Sequence, residues 1–281
     1  MKTFIRLSVM SSLLLLSSAI FYATKPNATE QSQLQKVYDY KIYYDSPTPD
    51  ILDKMGSYDL VIIEPVFYSP DQIERIREQG TLVYGYINTM EADNWNTSFI
   101  EQLNEDDFFH RDGKRVYYPQ WDSYLTDITS PHYQQVLQAE VDKQIISKNL
   151  DGVFLDTVGN IDNEHSDNAE ILYEQRQGMV SWMESVQEQH PGISMIQNWG
   201  FDTLTTSTHP YVEAIMWESF HFSNLVGDEW AHDQIYKLRK AREEHGIQVL
   251  TVANEEKKQS EMLSRANRFI HYHDVAGYNE W

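Results

Sequence analysis

The chain contains no cysteine. Disulfides, cysteine metal sites and lipid attachment through a cysteine are therefore excluded. A chain of 281 residues can build a core large enough to do without disulfides, even after export. Positive charge is also scarce. Lys and Arg number 22 against 43 Asp and Glu, giving a net charge of −21. Nucleic acid and anionic lipid are poor partners for such a surface. A cationic ligand would be drawn to it, although the same charge also serves solubility. No glycine-rich phosphate loop follows the first strand-like segment, which argues against a dinucleotide-binding fold. After the N-terminus, no apolar run is long enough to cross a bilayer.

The N-terminus itself is different. Lys2 and Arg6 precede an apolar run from Leu7 to Tyr22, and Ser17-Ser18-Ala19 offers small residues for cleavage, with Ala23 as a second candidate. Residues 1–23 thus read as a secretory signal peptide or signal anchor, and the protein as exported. Removing Lys2 and Arg6 takes the charge to −23. Residues 24–36 are polar and aperiodic and read as a linker, leaving 37–281 as one domain.

Within that domain, strand-like runs alternate with helical ones. The strands are expected at Tyr38–Asp45, Tyr58–Pro65, Thr81–Asn88, Gly152–Thr157, Ser194–Asn198, Ala214–Glu218, Ile247–Ala253 and Val275–Tyr278. Helix starts are marked by Ser69-Pro70-Asp71 and Ser130-Pro131, and a helix stop by Gly246. Helices are expected up to about Gly80, over about 131–149, 168–190 and 228–245, and from Glu256 to Tyr272. Eight strands alternating with helices predict a (β/α)₈ barrel. The chain ends too soon for a helix after the eighth strand. The stretch from Asn88 to Ser130 is an aromatic-rich insertion after strand three, placed to wall a binding site.

Catalytic groups of such barrels sit at the C-terminal ends of the strands. Those ends here carry Tyr44, Asp45, Glu64, Asn88, Glu91, Asp156, Asn198, Trp199, Glu218, Asn254, Glu255 and Tyr278 with Trp281. They supply carboxylates, amides and aromatics, a mixture suited to sugars. They supply no serine–histidine pair and no metal-ligand cluster, so neither a metal nor a cofactor is expected. The run Val153-Phe154-Leu155-Asp156 places a carboxylate where a buried strand runs out, and Ile215-Met216-Trp217-Glu218 repeats the pattern. Two carboxylates are the minimum for cutting a glycosidic bond, with retention or inversion set by their separation. Trp217, alternating with Glu218, should face the helices. His271-Tyr272-His273-Asp274 looks like a metal motif, but it falls at an expected helix end on the opposite face.

Five ordered segments carry a resemblance. Gly152-Val153-Phe154-Leu155-Asp156-Thr157, Tyr86-Ile87-Asn88-Thr89-Met90-Glu91-Ala92, Leu125-Thr126-Asp127-Ile128-Thr129-Ser130-Pro131, Gln197-Asn198-Trp199-Gly200 and Trp217-Glu218-Ser219 resemble motifs of glycoside hydrolase family 114, the endo-α-1,4-polygalactosaminidases. Met90 stands where that family often has glycine. The resemblance implies a (β/α)₈ barrel acting on an α-1,4-linked polysaccharide rich in galactosamine and N-acetylgalactosamine, often partly deacetylated and so cationic. It implies that Asp156 and Glu218 are the catalytic pair. By analogy with related α-galactoside-cleaving barrels, Asp156 is expected as nucleophile and Glu218 as acid/base, with net retention. Tyr44, Glu91, Asp127, Asn198 and Trp199 are the expected substrate contacts. Asp127, next to Ser130-Pro131, also suits a helix anchor. The competing readings are a catalytically inactive carbohydrate-binding barrel and a metal-dependent deacetylase.

Overall fold

The computed structural model describes residues 32–281. The expected signal segment, residues 1–23, lies outside them. Gln33–Lys36 is a short 3₁₀ turn with Leu34 buried, so packing already begins within the segment expected as linker.

Eight strands form one parallel sheet in sequential order: β1 Tyr40–Tyr43, β2 Leu60–Ile63, β3 Leu82–Asn88, β4 Gly152–Asp156, β5 Ser194–Asn198, β6 Ala214–Trp217, β7 Gln248–Ala253 and β8 Ile270–His273. The connecting helices include α1 Pro49–Met55, α2 Pro70–Arg77, α3 Pro131–Val141, α4 Ala169–Gln189, α5 Phe201–Thr203, α6 Glu229–His245 and α7 Lys257–Ala266. Their ends follow local chemistry. Ser69 caps α2 in a reciprocal pair with Gln72. Ser130 caps α3, Asp228 caps α6, and Gly246 ends α6 at φ 75°, a left-handed conformation that costs glycine little.

Two cores result from the period of two along each strand. One parity fills the barrel: Tyr40, Ile42, Leu60, Ile62, Tyr84, Phe154, Ile196, Met216, Leu250 and Val252, with Leu34 and Val37 packed against them. The other parity faces the helices, as with Val153, Leu155, Ile215 and Trp217. Trp217 packs against Phe201, Phe220 and Trp230, as its alternation with Glu218 requires.

Gly152 shows how tightly the interior is filled. A Cβ there would lie 2.2 Å from a Tyr84 ring carbon and 2.7 Å from the Ser194 carbonyl oxygen. Overpacking of this kind costs about 1–3 kcal/mol. Gly152→Ala is therefore expected to lower the melting temperature by roughly 3–10 °C. A thermal melt followed by circular dichroism checks this, and an unchanged melting temperature would contradict the packing described.

The eighth strand differs from expectation. It is Ile270–His273, not Val275–Tyr278, and α7 stops at Ala266 rather than near Tyr272. Gly277 has φ 95°, a turn conformation, and Val275 is 82% exposed, so neither belongs to a buried strand. Tyr272 packs into the barrel, whereas His271 approaches the Thr251 hydroxyl at 2.9 Å. Alternating histidines in this half-buried strand hide the apolar run by which the other strands are legible. The motif His271-Tyr272-His273-Asp274 is thus strand eight and its end, not a helix terminus.

No helix follows β8 among the described residues. The tail takes its place: Trp281 packs edge-on against Tyr43 and Tyr58, and Lys41 lies over its ring. Among the described residues no ladder joins β1 to β8. Lys41 instead donates to the Tyr272 hydroxyl at 2.7 Å, and the Tyr44 N–H donates to the Tyr278 carbonyl at 2.7 Å. The tail is thereby pinned over the seam at the C-terminal mouth.

The insertion after β3 contains a small antiparallel sheet, with Glu91–Asp93 paired to Ser123–Leu125 and that strand to Tyr117–Tyr118. Phe99 and Phe108 are buried in its base, while Trp95 and Trp121 are exposed.

Candidate active site

The parity that fills the barrel continues past the strand ends. Two residues beyond Ile62 comes Glu64, beyond Tyr86 comes Asn88, beyond Phe154 comes Asp156, beyond Ile196 comes Asn198, and beyond Met216 comes Glu218. Side chains at these positions point up into the mouth, where they line a cleft of about 870 Å³. The C-terminal tail from Ala276 to Glu280 and the rings of Phe67, Trp95 and Trp121 extend its walls.

Asn198 is the hinge of the arrangement. It is buried, and its single amide nitrogen donates to Asp156 Oδ1 at 2.7 Å and to Glu218 Oε2 at 2.8 Å. Together the two bonds cap the distance between those oxygens at 5.5 Å. The second oxygen of Glu218 accepts from the Tyr278 hydroxyl at 2.5 Å. Asp156 is held by its backbone as well. Its carbonyl accepts from the Thr89 N–H and hydroxyl, and β3 places Asn88 directly opposite it.

Burial raises the pKa of Glu218, the charge of Asp156 raises it further, and the bonds from Asn198 and Tyr278 oppose both. Beside the pair, Tyr44 packs edge-on against Tyr86 and Tyr278, with ring centroids 5.1 and 5.5 Å apart. Burial and then the nearby carboxylates push all three phenols upward, so each remains a hydrogen-bond donor.

The backbone is strained in register around this site. Thr157, Trp199 and Ser219, each following an inward-facing polar residue at or just past the end of β4, β5 or β6, have φ of 64°, 56° and 57°. Left-handed geometry costs a non-glycine residue about 1–2 kcal/mol, and such strain concentrates at functional sites. Thr157 offsets part of it, because its hydroxyl lies 2.6 Å from Asn88 Oδ1 and accepts from the Met90 N–H at 2.9 Å.

Of the residues expected from sequence, Asp156, Glu218, Tyr44, Glu91, Asn198 and Trp199 all line the cleft. Asp127 is not among the residues lining the cleft. One of its oxygens accepts from the Thr129 N–H and hydroxyl and from Gln175 at 2.8 Å, so it ties the lead into α3 to α4. Glu91 is 6% exposed, and its oxygens accept from Ser123 and, at 2.7 Å, from Asn160. It fastens the insertion to the short helix Gly159–His165 that follows β4 while forming part of the wall. Trp199 splits its surface between the cleft and the Phe201–Trp217 cluster.

Tyr86, Asp93 and Asn160 were not anticipated. Tyr86 shares the parity of Asn88 and was open to the same argument. Asp93 ends the three-residue strand Glu91–Asp93 and Asn160 sits in the short helix Gly159–His165, elements too short to show a period. The carboxylates lining the cleft are Glu64, Glu91, Asp93, Asp156, Glu218 and Glu280, with no Lys or Arg among the lining residues.

The Tyr278 bond has a measurable consequence for any reaction in which Glu218 gives up a proton. A donor to the ionised carboxylate lowers its pKa, so removing it raises the pKa further. Tyr278→Phe is expected to move the basic limb of the kcat/KM profile upward. A pH–rate profile tests this, and an unmoved limb would contradict the coupling.

A (β/α)₈ barrel with two carboxylates bridged at its C-terminal mouth defines a glycosidase-like architecture. The family model for glycoside hydrolase family GH114 matches residues 22–259, and the chain belongs to that family. It is a glycoside hydrolase. The fold is similar to the glycoside hydrolase domain of PelA from Pseudomonas aeruginosa (18% identity, 87% of this chain and 97% of that one, TM-score 0.69). It is similar to Aspergillus fumigatus Ega3, solved in complex with galactosamine (14% identity, 86% and 92%, TM-score 0.62). It is also similar to TtGalA, an α-galactosidase from Thermus thermophilus (13% identity, 83% and 58%, TM-score 0.55). No curated protein matches the chain by sequence. Among the described residues, no helix is long and apolar enough to cross a membrane.

Proposed function

We propose that this protein is an endo-acting hydrolase of α-1,4-linked, galactosamine-rich polysaccharide, working by double displacement. The observation that carries the reading is the Asn198 bridge, which keeps facing oxygens of Asp156 and Glu218 within 5.5 Å. Retaining glycosidases hold their carboxyls about 5–5.5 Å apart, whereas inverting enzymes leave room for a water.

In the first step, an Asp156 oxygen attacks the anomeric carbon while its bond to the glycosidic oxygen breaks. Glu218 passes its proton to the departing oxygen, leaving a glycosyl ester on Asp156. In the second step, Glu218 takes a proton from water as the water oxygen attacks the same carbon, and Asp156 leaves as a carboxylate. Burial and the Asp156 charge favour the protonated form of Glu218 for the first step; loss of that charge on ester formation favours its ionisation for the second. Asn198 positions both groups, and the Tyr278 hydroxyl holds the second oxygen of Glu218.

The substrate class rests on three supports. The cleft is lined by carboxylates without Lys or Arg, which suits a cationic sugar polymer. Ega3, a structural neighbour, was solved with galactosamine bound, and a more distant one is an α-galactosidase. Exposed Trp95 and Trp121 offer flat apolar faces for further sugar units along the chain. Export through residues 1–23 belongs to the same reading, and the mass of the mature chain tests it.

Release of reducing ends from purified α-1,4-galactosamine polymer tests the activity. Mid-chain cleavage, seen as a rapid fall in polymer size, is expected. Binding without release would favour a carbohydrate-binding barrel instead.

A further inference from the structure

Lys41 stands on β1 at the seam with β8, under the tail that takes the place of a helix. It is buried, at 7% exposure, and a buried ammonium needs partners. It finds them on β8 and the tail. Its Nζ donates to the Tyr272 hydroxyl at 2.7 Å and to the Glu280 carbonyl at 3.2 Å, and lies 5.4 Å from the centre of the Trp281 ring. The Tyr272 hydroxyl donates onward to the buried Asp274 at 3.2 Å, and Asp274 also accepts from the Gly277 N–H at 3.3 Å.

Residues 275–281 contain no helix or strand, so ordering each of them costs backbone entropy without a ladder to offset it. Four anchors hold them. The Gly277 N–H rests on Asp274, the Tyr278 carbonyl on the Tyr44 N–H, and the Glu280 carbonyl on Lys41. The Trp281 ring packs edge-on against Tyr43 and Tyr58, with centroids 5.7 and 6.0 Å away. Between these anchors the Tyr278 side chain turns to Glu218 and donates to Oε1 at 2.5 Å. Neither Lys41 nor Trp281 lines the cleft, so no contact with a bound sugar accounts for their placement.

We infer that Lys41 and Trp281 are positioning residues for Glu218: they clamp the tail so that the Tyr278 hydroxyl stays on the Glu218 carboxyl. The inference rests on the acid/base role proposed for Glu218 and extends it to two residues outside the cleft. Releasing either anchor frees the tail, and the donor that favours the ionised carboxylate leaves with it. The other titratable groups facing Glu218 are Asp156 from β4 and Tyr40 and Tyr44 from β1 and its end, and neither anchor touches them.

The test uses the full chain carrying Lys41→Met or Trp281→Ala. Glu218 is titrated by ¹³C NMR in protein labelled at the glutamate side-chain carboxyls, its signal assigned by its loss in Glu218→Gln. The pKa of Glu218 is expected to rise in both variants, as in Tyr278→Phe. Trp281→Ala changes no charge, so a rise there cannot come from a lost cation. Trp281→Phe keeps a ring against Tyr43 and Tyr58 and should restore the wild-type titration. On the polymer, kcat is expected to fall about tenfold with KM little changed, inside the roughly 10²-fold cost of misplacing a group by about 1 Å. Adding Tyr278→Phe to either variant should cause no further loss, because all three changes break one chain of contacts. An unmoved Glu218 titration in both variants would overturn the inference. So would losses that add in full to that of Tyr278→Phe, the mark of a general loss of stability. If the polymer is cleaved while the titration stays unmoved, the proposed function survives and the clamp does not. If the titration moves in a protein that never cleaves, the clamp survives and the hydrolytic reading does not.

Discussion

Replacing Asp156 with asparagine should reduce hydrolysis of the galactosamine polymer on the order of 10⁴-fold or more, as loss of a covalent nucleophile does elsewhere. The substitution removes the charge and the attacking oxygen yet keeps the shape. Asn198 still has an acceptor in the new amide, provided the amide oxygen faces it. The melting temperature should therefore stay near that of the wild type while kcat falls. Initial rates of reducing-end release, alongside a thermal melt, check both parts. Near-normal activity in Asp156→Asn would remove it from the chemistry.

Glu218→Gln is the second large effect, and its signature is different. An acid/base residue matters most where the leaving group needs a proton. Against the polymer, whose leaving group is a sugar alkoxide, the loss should again be large, on the order of 10²–10⁴-fold. Against an aryl α-galactosaminide with an acidic phenol, bond cleavage needs little protonation. The first step should then run nearly normally and the glycosyl ester should accumulate, because water is no longer activated. A burst of phenol followed by a slow steady rate is the expected trace. An equal loss on both substrates would contradict the assignment of acid and nucleophile. The glutamine also loses one acceptor oxygen to an amide N–H, which the Tyr278 and Asn198 donors would oppose.

The legible parts of the molecule are those where burial imposes a period. β4, β5 and β6 lie between barrel interior and helices, so they read as short apolar runs ending in Asp156, Asn198 and Glu218. Period two then separates Trp217 from Glu218 and sends one to the helices and the other to the mouth. Helix starts were legible where side-chain caps are chemically specific, as at Ser69 and Ser130. β8 was not, because its outward positions are His271 and His273 rather than aliphatic residues. The turn at Gly277 instead looked like the strand. Tyr278 consequently contributes to the site through the tail, which crosses the β1–β8 seam, and not as a strand end.

Contributions from the shortest elements were illegible for a physical reason. Asp93 lies in a three-residue strand and Asn160 in a two-turn helix, too short for a readable period, and their roles depend on Asn88 and Glu91, partners set by the folded structure. Asp127 shows the converse. It stands in a motif near the site and is nevertheless occupied in joining α3 to α4.

The account turns on Asp156 and Glu218 being close enough for double displacement. The anomeric form of the first-formed reducing end, followed by ¹H NMR before mutarotation, tests this most directly. The 5.5 Å limit set by Asn198 predicts α-configured product from the α-linked polymer. A β-configured first product would contradict the account, because it would require a water between the carboxylates and a base where a nucleophile is assigned.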